Sequence, residues 1–471
     1  MTKLNRALLN RALCAALAAT SVTACTLAPD FKLPGLPIPS SWTTAPAAET
    51  QGAPVADLPW RDYFADTRLR EIIELALTNN RDLRVAALNI ERAQAMYRIQ
   101  RADLLPALDF AGRQNAQRIP GDLSQTRDAM ISRQYSATVG ASWELDFFGR
   151  IRSLRDQALE NYLATEEARR GAQIALVAAI ANAWLALGAD HELLELARRT
   201  YATQQKSVEL IRRSFDAGAA SALDLAQART AMERARADTA RYTAQFARDQ
   251  NALALLTGAS VPENLQATAL ADAVATVAEL PAGIPSEVLI RRPDVLQAEH
   301  ALRAANADIG AARAAFFPRI SLTGGAGSGS LTLDGLFDAG SGTWTFTPQI
   351  TVPIFHAGAL KSNLDRAEIE RNIQVAQYEK AVQSAFREVA DALADRATIA
   401  EQLDARRELV KAANESYRLS EARYRSGLDS HLVLLDAQRS QYAAEQELIA
   451  TRLVEASNRI ALYKVLGGGW K

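Results

Sequence analysis

Gly342–Val352 reads GTWTFTPQITV, and the reading of this stretch decides the fold. Trp344, Phe346, Pro348, Ile350 and Val352 take alternate positions, with Thr343, Thr345, Thr347, Gln349 and Thr351 between them. A period of two puts the first set on one face of a β-strand and the threonine-rich set on the other. Tyr135–Phe147 alternates in the same way: Tyr135, Ala137, Val139, Ala141, Trp143, Leu145 and Phe147 against Gln134, Ser136, Thr138, Gly140, Ser142, Glu144 and Asp146. Leu108 and Phe110 open a strand after Pro106, and Ile320 and Leu322 open one after Pro318. The predicted strands run over about 106–118, 134–147, 318–330 and 342–355, and a Gly/Ser-rich loop over 324–342 overlaps the end of the third. Pro348 predicts a bulge or a weakened ladder, because proline has no N–H to donate.

Working outward, the rest of the chain has a helical period. Helical runs are expected over about 66–104, 150–215, 222–256, 286–315, 360–425 and 431–466, with Gly171 and Gly188 as weak points of the second. Leu360–Arg425 holds neither Pro nor Gly. As one helix it extends on the order of 100 Å at 1.5 Å per residue, too long for a compact domain and suited to a coiled assembly. Its many Ala positions suit close helix packing.

The pattern occurs twice. An offset of 209 residues aligns Phe215 with Tyr424, Gly218 with Gly427, Ser221 with Ser430, Leu223 with Leu432, Leu225 with Leu434, Ala228 with Ala437 and Gly258 with Gly467. The expected organisation is a signal segment at 1–24, an extended Pro-rich segment at 25–62, a first repeat at 63–258, an irregular connector at 259–285 and a second repeat at 286–471. Turns interrupt the repeats at 216–221 and 426–430.

Lys3, Arg6 and Arg11 precede the apolar run Ala12–Val22, which has signal-peptide length and is too short to span a bilayer. Val22-Thr23-Ala24-Cys25 resembles a lipobox, in which Cys25 becomes the lipidated first residue; ordinary secretory cleavage is the alternative. Thr26 after that Cys permits outer-membrane sorting. With Cys14 in the removed segment, no disulfide is expected. No later segment reads as apolar for the roughly 20 residues of a membrane helix, so a span must be built from strands. Four strands cannot close a water-filled barrel, and open edges are not tolerated in lipid, so the chain must oligomerise. A trimer gives about twelve strands and a dimer about eight. A soluble sheet with one buried face is the alternative.

Composition narrows the function. The 53 basic and 54 acidic side chains give a net charge of -1, which offers nucleic acid no basic footprint. His191, His300, His356 and His431 are isolated, so no metal-ligand spacing and no metal site is expected. His191-Glu192 lacks the second histidine of a zinc-protease motif, and Gly324–Gly329 precedes no Lys-Ser/Thr of a phosphate loop. No catalytic residues and no enzyme activity are expected, and no cofactor beyond the lipid on Cys25.

Arg291–Gly324, RRPDVLQAEHALRAANADIGAARAAFFPRISLTG, resembles the signature of TolC-like outer-membrane factors, in particular the OprM-type lipoprotein branch serving RND efflux. WELDFFGR (Trp143–Arg150), RYRSGLDSHLVLLDAQRS (Arg423–Ser440) and the tail LYKVLGGGW (Leu462–Trp470) resemble it as well. The chain departs from the pattern after Pro353–Phe355: the family often has an acidic or amide residue before Gly-Gly, and here the sequence is His356-Ala357-Gly358.

The resemblance implies a mainly α fold with a transmembrane β-barrel: a trimer whose protomers each give four strands and long coiled helices. It implies a passive duct exporting small molecules from a tripartite system, anchored in the outer membrane and reaching through the periplasm to a membrane-fusion adaptor and an inner-membrane pump. A non-conducting periplasmic scaffold or adaptor, and the same duct serving protein secretion, are the alternatives. Gly218, Ala219, Ser221, Gly427, Leu428 and Ser430 match the tips that meet the adaptor; as plain helix–helix turns they need only Gly flexibility and serine caps. Leu432 and Asp436 match constricting rings, with Asp224 and Arg425 as further gate candidates; otherwise Asp436 is a solvated surface residue.

Overall fold

The computed structural model describes residues 26–39, 42, 57–124, 127–267, 269–270 and 286–470. Cys25, the signal segment and most of the connector lie outside the described residues. In order, the elements are α1 (Thr67–Asn79), α2 (Arg81–Ala102), β1 (Ala107–Ile119), β2 (Met130–Leu145), α3 (Arg150–Asp216), α4 (Ala222–Thr257), α5 (Pro293–Ala314), β3 (Arg319–Ser330), β4 (Gly342–Thr351), α6 (Ala359–Arg425) and α7 (His431–Val465). The chain divides into two compact units, and the division falls within α2, α3, α5 and α6.

One unit holds the four strands, hydrogen-bonded in the order β1-β2-β3-β4 with every neighbouring pair antiparallel. Three readings of the strands are corrected here. β2 begins at Met130, ahead of the expected start at 134, because its early residues pair with Ile119 and the residues before it. β3 continues through the Gly/Ser-rich stretch to Ser330, so the loop shrinks to 331–341. Glycine is what lets β2 approach there: a Cβ on Gly327 would lie 2.1 Å from the Ala137 carbonyl oxygen. Pro348 makes no bulge, since the register from Arg319↔Thr351 to Ser328↔Gly342 is unbroken and pairs Leu322 with Pro348. The reason is its parity. Gly329 donates its N–H to the Ser341 carbonyl, so hydrogen bonds between these strands recur at every second pair, and the Pro348 nitrogen falls on the other parity, towards the free edge.

At the foot of the sheet the side chains of WELDFFGR join strand to helix. Glu144 accepts two hydrogen bonds of 2.9 Å from Arg150 and one of 2.6 Å from Arg319. Asp146 accepts from the amides of Ile151 and Arg152 at 3.1 and 2.8 Å, which satisfies the first turn of α3. Ala357, in the departure from the family pattern, adopts a left-handed φ of 48° beside Gly358 at 86°. The first described residues lie along α5. Asn306 donates to the Pro29 carbonyl at 2.8 Å, Arg303 covers the Phe31 ring, and a Cβ on Gly310 would meet Ala28 at 2.8 Å.

The other unit holds a helical core of Trp60, Tyr63, Phe64, Leu69, Ile72, Ile73, Ile180, Trp184, Leu185 and Tyr463. Tyr63 and Tyr463 stack at 3.9 Å, and their hydroxyls donate to the Arg459 and Leu58 carbonyls. The single helix expected over 66–104 is two helices, because the Asn80 side chain accepts from the Leu83 amide and donates to the Leu256 carbonyl, starting α2 afresh. The run expected over 286–315 begins as a 3₁₀ segment, Ser286–Arg291, before α5. α3 also corrects the expectation that no later segment is apolar enough to cross a membrane, since by length and composition alone it is long and apolar enough to do so. Most of its apolar stretch is buried within the chain.

Candidate channel wall and periplasmic turns

The register assembles the alternating residues of four strands into two continuous faces. Phe110, Val139, Ala326 and Trp344 form one cross-strand row; Leu108, Ala141, Gly324 and Phe346 form the next. Trp143, Leu322 and Pro348 follow, then Leu145, Ile320 and Ile350. Phe110, Trp344 and Phe346 are 73%, 78% and 63% exposed, so no described residue covers them. The reverse face carries Asp109, Arg113, Thr138, Ser142, Ser321, Thr323, Thr345, Thr347 and Gln349. β1 and β4 are edges, each with a row of backbone groups that the sheet leaves unpaired. An apolar outer face, a polar inner face and two open edges make up a segment of a barrel wall.

The two predicted turns sit in the other unit and share one backbone scheme. In the first, Ala217 donates to the Arg213 carbonyl, Gly218 to Phe215 and Ala219 to Ser214. In the second, Ser426 donates to Ala422, Gly427 to Tyr424 and Leu428 to Arg423, the same bonds at the same offset. Gly218 and Gly427 take φ of 75° and 70°, the left-handed conformation that ends such helices. Ala219 and Leu428 are exposed.

Their side chains differ. Ser221 begins α4 with a capping box: its hydroxyl accepts from the Asp224 amide, and the Asp224 carboxylate accepts from the Ser221 amide at 3.0 Å. The Ser221 hydroxyl and amide hold the Asp224 carboxyl below its usual range against a small opposing effect of burial. Ser430 corrects the expectation of a second serine cap. It stands at the start of α7 with no side-chain cap bond: the Val433 amide donates to the Ser430 carbonyl, and valine at the position of Asp224 offers no carboxylate for the reciprocal half of a capping box. The second turn is closed by Arg423 and Asp429, joined by two hydrogen bonds of 2.6 and 2.9 Å. Arg425 pairs with Glu421 at 2.7 Å, one helical turn back.

Leu432 and Asp436 both lie exposed on one side of α7, Leu432 at 49%, while Leu434, Leu435 and Ala437 turn inward. The residue that sequence reasoning missed lies just before them. His431, isolated in the sequence, is 4% exposed. Its Nε2 is 3.5 Å from Ser207 Oγ of α3, and its ring packs at 5.6 Å from that of Tyr424 of α6. Only its apolar setting is legible in the sequence, from Leu434 and Leu435, three and four positions on and so on the same helix side. Burial pushes the His431 imidazole below its usual range, and Asp224 of α4 partly offsets this. Among the described residues, no group of three or more His, Cys, Asp or Glu is arranged to hold a metal ion.

Known proteins match the whole arrangement. A family described as outer membrane efflux protein matches residues 72–259 and 284–468, one stretch for each repeat. The probable efflux pump outer membrane protein TtgC of Pseudomonas putida is 52% identical over 450 residues, covering 95% of this chain and 93% of the relative. A solved membrane protein from Pseudomonas aeruginosa superposes with a TM-score of 0.87 at 42% identity, covering 94% of this chain and 100% of the other. The open-state MtrE outer membrane channel of Neisseria gonorrhoeae does so with a TM-score of 0.85 at 39% identity, covering 95% and 99%.

Proposed function

This chain belongs to the outer membrane efflux protein family, and we propose that three copies close into one gated duct, held to the outer membrane by a lipid on Cys25. It is the outer-membrane channel component of a tripartite efflux system, and its relatives are efflux channel proteins. The observation that carries the reading is the register of the sheet, which turns the apolar rows to one side and the threonine-rich rows to the other. Lipid satisfies the first face and water the second. The two open edges call for further copies, and about twelve strands enclose a water-filled bore.

Leu432 and Asp436, exposed on one side of α7, suit three-fold rings: an apolar choke of leucines and a collar of carboxylates that excludes anions. Gly218, Ala219, Ser221, Gly427, Leu428 and Ser430 form exposed turns suited to an adaptor. The lipid on Cys25 is supported by the seating of Leu27, Ala28 and Pro29 on the last turns of α5, next in the chain to β3 at the foot of the sheet. An acyl chain there would enter the bilayer beside the apolar face. The adaptor and the inner-membrane pump would supply selectivity and energy.

The test is single-channel conductance in planar bilayers, comparing wild type with Leu432→Ala/Asp436→Ala. A mostly closed wild type and a far more conductive variant are expected. Failure of both proteins, correctly folded, to insert or conduct would return the chain to a scaffold role.

A further inference from the structure

We propose that His431 is the positioning residue of this gate: seated neutral at the junction of four helices, it holds α7 closed, and its protonation releases the helix that carries Leu432 and Asp436. The inference rests on the gate reading above. Its basis is the geometry of one buried ring.

His431 is the first residue of α7 and is followed directly by Leu432. Its ring meets both repeats. Ser207 comes from α3, which leads into the first turn, and Tyr424 from α6, which leads into the second. Asp224, of the first turn's capping box, is the ionised group whose charge reaches the ring. Thus α3 presents a hydroxyl, α6 a phenol and α4 a carboxylate. Burial keeps the Tyr424 phenol above its usual range, so it stays protonated and contributes no charge. The Nδ1 atom of His431 is buried with no hydrogen-bond partner. The seat therefore accommodates a neutral ring with one weakly placed contact. An imidazolium needs two acceptors, and among the described residues only the Ser207 hydroxyl lies near enough to serve, leaving Nδ1 with none. Asp224 is committed to the Ser221 hydroxyl and amide, which limits its use as a counter-ion.

Protonation is thus disfavoured in the seated state and ordinary in any state that exposes the ring to water, where a histidine titrates near 6.5. The sign follows from this difference. The stabilisation of the seated state is complete above the ordinary histidine pKa and is lost as pH falls through the lowered one. A proton then binds the open arrangement more tightly, and each unit of separation multiplies the open-to-closed ratio by about tenfold at full protonation. In the first repeat Ala222 stands at the position of His431, so the proton acts on one hairpin of the two.

The experiment is bilayer conductance of the full-length protein at about pH 7.5 and about pH 5.5, which bracket histidine titration. Wild type is compared with His431→Asn, His431→Phe and Leu432→Ala/Asp436→Ala. Asn keeps a polar group in the seat and Phe fills it, and neither titrates. Wild-type conductance is expected to rise several-fold on acidification, with both His431 variants flat across the range. An undiminished acid response in both would overturn the proposal and assign the response to another group. No acid response in wild type, with Leu432→Ala/Asp436→Ala open, would overturn it while leaving the gate intact. If that double variant is also closed, the gate reading falls and this proposal with it.

Discussion

The two helix–helix turns, at Gly218 and at Gly427, are built on one backbone and stabilised by different chemistry. Both end a helix of 67 residues with the same three carbonyl acceptors and a left-handed glycine. The first is then closed by a capping box within one helical turn. The second is closed by an ion pair across the turn and by a histidine buried beneath it. Backbone geometry is therefore what the duplication preserves, while side chains are free to give each copy its own response. Acid separates them: Asp224 keeps its charge until pH falls below the ordinary carboxylate range, whereas His431 accepts a proton well above it when exposed.

Three substitutions sharpen the contrast, each read as amide hydrogen exchange in the turns, which reports local opening. Gly427→Val is expected to act most. A Cβ there meets no neighbour within 4 Å, so the cost is the left-handed backbone itself, about 1–2 kcal/mol, and exchange in the second turn should accelerate several-fold to more than tenfold. Equal exchange with wild type would mean that the turn adopts another backbone. Ser221→Ala comes next. Removing the cap should cost about 1 kcal/mol and speed exchange at the start of α4, with no change at α7. Equal acceleration at both turns would show them to be one cooperative unit and undo the comparison. Asp429→Ala is expected to act least, because the Arg423 side chain that pairs with Asp429 is largely exposed and screened by water. Its effect should shrink further in high salt, and an effect larger than that of Ser221→Ala would give the ion pair a structural role in the second turn.

How far the sequence could be read follows from the range of the forces involved. Strand alternation is local, so Trp344, Phe346 and Ile350 could be assigned to one face before any register was known. Pro348 was misread because its effect depends on which strand lies beside it, and parity against Gly329 is a property of the pair. The Gly/Ser-rich stretch reads partly as loop for a related reason: Gly327 is demanded by the closeness of β2. Ser221 and Ser430 looked equivalent at an offset of 209, and the residue three positions on, Asp224 or Val433, separates them. That difference is legible in the sequence.

Sequence alone determined the class of this protein: period two and period 3.6 are imposed by the backbone, so they write the strands, the long helices and the repeat directly into residue order. Only the tertiary structure decided that four strands share one unbroken register, that the sheet keeps two open edges, and that His431 lies against Ser207, more than two hundred residues away in the chain, as well as against Tyr424 of the neighbouring helix. Burial is a property of what packs against a residue, and for His431 the helix of Ser207, from the first repeat, closes over a ring that local sequence leaves open.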